Sequence, residues 1–86
     1  MNFNIGVLKK KISYRSTYRG TKEMDLLLSS FVKDIIDKLN QDELIKLLAF
    51  LKLDDENLYK FNQGIKTNIS IEKNEITNLF KKYKLK

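Results

Sequence analysis

The sequence predicts an all-α protein, a compact bundle of about five short helices forming a single domain over residues 1–86. Three observations lead there. Apolar residues recur at spacings of three and four along most of the chain, the period of a helix with one buried face. Proline, the strongest interruption of that period, is absent. Serine, threonine, asparagine or aspartate stands where each of the last four periodic stretches begins, as helix N-caps do.

The first helix is expected from Val7 to Tyr18, with Val7, Leu8, Ile12, Tyr14 and Tyr18 as its apolar stripe and Arg19-Gly20 as its stop. Thr21 then caps a second helix running to about Leu39. Glu23 sits in its first turn, and Met24, Leu27, Leu28, Phe31, Val32, Ile35, Ile36 and Leu39 form its inner face. Asn40 and Glu43 make a capping-box pattern ahead of a third helix through Leu44, Leu47, Leu48, Phe50 and Leu51. Asp54 caps a short fourth helix containing Leu58, Tyr59 and Phe61, which Gly64 ends. Residues 65–69 read as a loop, because no partner strand exists for them. Ser70 is expected to open a fifth helix carrying Ile71, Ile76, Leu79, Phe80 and Tyr83. About residues 1–6 and 84–86 read as frayed ends.

Composition narrows the function. The chain has neither cysteine nor histidine, which removes disulfides, thiolate metal sites, the commonest general base and the commonest zinc ligand. No EF-hand-like spacing offers a carboxylate metal site. No nucleophile is paired with a base, so the chain reads as a non-enzyme. No run approaches the roughly 18 apolar residues of a membrane span. The basic, acid-free N-terminus puts its apolar run before its lysines, the reverse of a secretory signal, and reads as part of the domain.

The formal charge of +6 is uneven. Residues 1–22 hold six basic side chains and no acid, residues 23–80 hold seven basic and eleven acidic, and residues 81–86 add four lysines. Fifteen of the seventeen basic residues are lysine, among many asparagines and isoleucines, the mixture that A/T-rich codons produce. Against it the two arginines, Arg15 and Arg19, stand out. A small basic nucleic-acid-binding protein, with helices two and three as a helix-turn-helix, is the alternative reading. The third helix argues against it, because it carries Asp42 and Glu43 and lacks base-reading arginines and amides.

The informative segment is Tyr14-Arg15-Ser16-Thr17-Tyr18-Arg19-Gly20-Thr21-Lys22-Glu23-Met24-Asp25. An arginine fork grips a carboxylate or carbonyl at two points, and a glycine lets a partner backbone come close. Glu23 lies four residues after Arg19 and could pair with it. The pattern reads as a small docking patch of one fork, one bare backbone position and two carboxylates.

Arg19-Gly20-Thr21-Lys22-Glu23-Met24-Asp25 closely resembles the RGxxExD signature of the succinate dehydrogenase assembly factors of the SdhE type. The preceding Tyr-Arg-Ser, the Leu-Leu-Leu run and the later Asp-Asp-x-x-Leu-Tyr-x-aromatic segment at Asp54 to Phe61 fall in family order, so the resemblance covers about residues 7–83. Tyr18 stands where many members have a second basic residue, and Phe61 where many have tryptophan. The resemblance implies a factor that binds the flavoprotein subunit of succinate dehydrogenase, with fumarate reductase as a related target, and promotes covalent attachment of FAD there. It implies that Arg19, Gly20, Glu23 and Asp25 lie on the exposed face meeting the flavoprotein, with Arg15, Tyr18, Thr21 and Lys22 as its rim. In such enzymes the flavin is joined to a histidine, which this chain lacks, and Gly6, Gly20 and Gly64 are too scattered to form a dinucleotide loop. FAD is thus expected on the partner, with no cofactor or metal held stably here. The free factor is expected to be a monomer without nucleic acid, in the bacterial cytoplasm, or in the mitochondrial matrix of a eukaryote.

Overall fold

In a computed structural model that describes residues 4–85, the Asn4 side chain accepts from the backbone N–H groups of Gly6 and Val7 and starts helix α1, Ile5–Ser16. The expected frayed ends fall partly on residues 1–3 and 86, outside the described residues, and the expectation is corrected at Ile5 and Gly6, which the Asn4 cap brings into α1 ahead of the expected start at Val7. Four further helices follow: α2 Lys22–Ile35, α3 Gln41–Phe50, α4 Asp55–Gln63 and α5 Glu75–Lys82, with no strand among the described residues. The all-α fold class expected from the apolar period is therefore the one observed.

Most boundaries follow the expected caps. Thr21 accepts from Met24 N–H, Asn40 and Glu43 form a full capping box, Asp54 accepts from Asn57 N–H, and Gly64 closes α4 at φ 74°. Helix α2 tightens into a 3₁₀ turn at Ile36–Lys38 instead of running on to Leu39. Two expectations are corrected. Helix α1 ends at Ser16, not Tyr18, where the Ser16 and Thr17 hydroxyls bond the carbonyls of Ser13 and Tyr14 and compete with the helical ladder. Helix α5 starts after Asn74, not at Ser70; Asn74 and Thr77 cap each other, and 65–73 is irregular.

Helix α1 packs on α2 and α3, and α5 on α3 and α4. The core joins Leu8 and Ile12 of α1 to Leu27, Leu28 and Phe31 of α2, Leu44 and Leu47 of α3, Leu58 of α4, and Ile76 and Phe80 of α5. Rings meet edge to face at its centre: Phe80 lies 5.0 Å from Phe31 and 5.2 Å from Phe50, and Phe61 lies 6.1 Å from Phe50. The inward face of α1 is Leu8, Ile12 and Ser16, one residue per turn. Val7, Tyr14 and Tyr18, expected on the core stripe, lie off that line and are exposed. Buried Asn62 donates from its amide to the carbonyls of Phe80 and Tyr83 at 2.8 Å each, satisfying the C-terminal end of α5.

Candidate functional site

Between α1 and α2 the chain must turn within residues 17–21, and the turn is made at Tyr18, whose φ of 55° is left-handed, a conformation uncommon outside glycine. The next residue, Arg19, faces inward. Its side chain is only 12% exposed and makes four hydrogen bonds. Nε donates to Asp55 Oδ1 at 2.8 Å, one terminal nitrogen donates to the carbonyls of Arg15 (2.8 Å) and Leu51 (2.9 Å), and the other donates to the carbonyl of Leu53 (2.9 Å). Arg15 lies in the last turn of α1 and Leu51 caps the end of α3. A single guanidinium thereby neutralises orphan carbonyls at two helix ends, where a cation is also favoured by both dipoles. Its counterion, Asp55, is the first residue of α4, where a carboxylate is favoured.

The second oxygen of Asp55 accepts the backbone N–H of Gly20 at 2.8 Å. A Cβ on Gly20 would stand 3.0 Å from that oxygen. A side chain at Gly20 would thus press on a carboxylate of its own chain, which gives the glycine a structural reason to be bare. Asp25, one turn into α2, accepts the backbone N–H of Arg19 and closes the loop. The possible Arg19–Glu23 pair does not form; Asp55 takes the guanidinium instead.

The motif thus splits in two. Arg19, Gly20 and Asp25 build the junction, Arg19 and Asp25 with half-buried side chains, which corrects the expectation that all of them lie open on the docking face. Thr21, Lys22 and Glu23 are exposed, as are Arg15, Tyr14 and Tyr18 beside them. Tyr14 and Tyr18 are 71% and 84% exposed with ring centroids 6.0 Å apart. One open groove runs along Tyr14, Arg15, Tyr18, Gly20 and Asp54; a second, along Thr21, Glu23, Glu56 and Tyr59, adjoins it at Asp55. In the first groove the Asn57 amide donates to Asp54 at 2.8 Å and holds that carboxyl below the usual carboxylate range. Among the described residues no group of three or more acidic side chains is arranged to hold a metal ion.

Asp55 is the site residue that sequence reasoning missed, since an aspartate at a helix start explains itself. Its signal was the doubled Asp54-Asp55: one carboxylate suffices for the cap, which leaves the second for another duty.

The family model described as flavinator of succinate dehydrogenase matches residues 10–84, which includes the whole Arg19 junction. The chain belongs to this family. Similar proteins include a mitochondrial succinate dehydrogenase assembly factor 2 from Penicillium rubens, 37% identical over 51 residues, 59% of this chain and 16% of the relative. An FAD assembly factor SdhE from Acetobacter pasteurianus is 29% identical over 55 residues, 64% of this chain and 50% of the relative. The aligned part of this chain thus spans half or less of each relative's length. No solved structure matches the chain. Both of these relatives are named as assembly factors, one of succinate dehydrogenase and one of FAD. Among the described residues no helix is long and apolar enough to cross a membrane.

Proposed function

We propose that this flavinator-family protein binds the flavoprotein subunit of succinate dehydrogenase and promotes covalent attachment of FAD to it, acting as a monomeric docking factor. The observation that carries the proposal is the family match across a junction whose motif is split into a built half and an exposed half. Arg19, Gly20, Asp25 and Asp55 fix the backbone that presents Thr21, Lys22 and Glu23, with Arg15 and Tyr18 at the rim. A preformed junction of this kind binds without ordering itself first, which favours association.

The residues here do not fit a private FAD site. The Gly20 N–H, the one glycine amide at the junction, already faces a carboxylate, and Asp54 and Glu56 border the grooves, so a pyrophosphate would meet negative charge. The factor stabilises a conformation of the flavoprotein in which the subunit's own groups react, a population shift driven by binding. This member has no histidine to accept flavin.

The test is co-purification with the flavoprotein subunit of succinate dehydrogenase, and in parallel with that of fumarate reductase, scoring in-gel flavin fluorescence of each. Glu23→Arg is the informative variant, because Glu23 is exposed and outside the junction's hydrogen bonds. Loss of capture and of covalent flavin together is the expected result. Glu23→Gln separates docking from chemistry: lost flavin attachment with the complex intact would give Glu23 a proton-transfer role. If wild type captures neither flavoprotein and flavin attachment is unchanged without it, the reading fails and a nucleic-acid partner becomes the better one.

A further inference from the structure

A third groove adjoins the docking site on the α1–α3 side. Lys10, Lys11, Tyr14, Arg15, Leu48 and Lys52 line it, and Tyr14 and Arg15 line the motif groove as well. The two grooves form one tract. The four cations are exposed, apart from any apolar covering, and none takes part in an ion pair among the described residues, whereas Lys9, Lys46 and Lys60 each do. Lys11 and Arg15 lie four apart on α1, a like-charge helix pair that weakens the isolated helix. Helix α1 contains no acidic residue to relieve it. Lysine is frequent everywhere in this chain, yet here four cations, one of them an arginine, line one groove together with the exposed Tyr14 ring and half-buried Leu48.

We propose that this groove receives an acidic segment of the flavoprotein, extending the contact made at Glu23; the inference rests on the function proposed above. The charge pattern selects the kind of occupant. Along the tract a basic stretch at Lys10, Lys11, Arg15 and Lys52 gives way to an acidic one at Asp54, Glu23 and Glu56. A polypeptide can match both signs in one pass, with carboxylates on the lysines and cations or amides farther on. A nucleic-acid backbone is uniformly negative and would be repelled over the second half. Exposed complementary charges act mainly on encounter: they raise the association rate and make it depend on salt, with a smaller effect on dissociation.

The experiment measures association and dissociation rates of the full chain with the purified flavoprotein subunit at low and moderate salt. The variant Lys10→Glu/Lys11→Glu/Lys52→Glu is compared with Lys33→Glu/Lys66→Glu/Lys73→Glu, an equal change of net charge at exposed lysines away from the groove. The groove variant should associate about tenfold more slowly and lose most of its salt dependence, while the control stays within about twofold of wild type. Far-ultraviolet circular dichroism should show both as helical as wild type. If the two variants behave alike, or wild-type association is indifferent to salt, the groove has no such role. In that case Glu23→Arg would still abolish capture, and the proposed function would stand without the groove. If wild type binds no flavoprotein, both fall together. Binding of duplex DNA that the groove variant loses would assign the cations to phosphate and also overturn the inference.

Discussion

Two of the irregular connections in this bundle are held in opposite ways. Residues 17–21, between α1 and α2, are tied by the Arg19 fork, the Asp55 and Asp25 carboxylates and the Gly20 amide to the ends of three other elements. Residues 64–74, between α4 and α5, are more than twice as long. They are fixed by the turn at Gly64, by Asn68 N–H donating to Asn57 Oδ1 at 2.7 Å, and by half-buried Ile71, while Ile65 and Ile69 stay exposed. Length does not decide how firmly a connection is held. What decides it is how many charged groups are drawn out of water and so require their partners.

The sharpest way to break that contrast is to remove the counterion. Asp55→Ala leaves the mostly buried Arg19 guanidinium without a carboxylate and the Gly20 N–H without an acceptor. We expect a loss of about 2–3 kcal/mol in urea unfolding, somewhat below the cost for a fully buried pair because both groups keep some exposure. Lys66→Ala and Asn68→Ala, in the long connection, should each stay within about 0.5 kcal/mol, since Asn68 is held through its backbone and Lys66 is exposed. Equal losses in the two connections would refute the contrast.

A second comparison sets the glycines against each other. Gly20→Ala forces a Cβ against an oxygen that cannot retreat, because Arg19 holds the other end of the same carboxylate, and should cost about 1–3 kcal/mol. Gly64→Ala meets open space and suffers only the left-handed backbone, about 1 kcal/mol. Thermal melts of the two variants should therefore rank in that order. In a double variant with Asp55→Ala, the Gly20→Ala cost should largely vanish, while the Gly64→Ala cost should simply add.

The smallest effect is expected at Tyr18. Asparagine tolerates its left-handed backbone better than tyrosine, so Tyr18→Asn should leave stability unchanged or raise it by up to about 0.5 kcal/mol. Because the ring is exposed at the rim of the proposed site, the same variant should weaken flavoprotein capture. A loss of stability without a loss of capture would make the ring part of the fold and not of the docking surface.

The caps at Thr21, Asn40–Glu43, Asp54 and Gly64 were legible in the sequence because each is a contact within four residues, and the apolar period of α2 and α3 marked the core directly. The start of α5 was not, because Ile71 belongs to the core's margin from an irregular segment, and apolar residues alone do not distinguish that from a helical face. The end of α1 was obscured by two local rules in conflict. Glycine ordinarily takes the left-handed position, yet here Tyr18 takes it so that Arg19 can turn inward. The importance of Arg19 was legible, but its orientation was not. Its counterion lies 36 residues away, while Glu23, four residues on, made a plausible local partner that the fold does not use.

Three of the four bonds made by Arg19 end on main-chain oxygens, of Arg15, Leu51 and Leu53, which every amino acid carries. The guanidinium therefore prescribes only one partner side chain, Asp55, and leaves the identities of the residues whose carbonyls it grips unwritten. Arg15 shows what that freedom permits: its carbonyl is enlisted in the junction while its guanidinium stays at the surface. One position can thus serve architecture with its backbone and recognition with its side chain, and mutation can retune the second without disturbing the first.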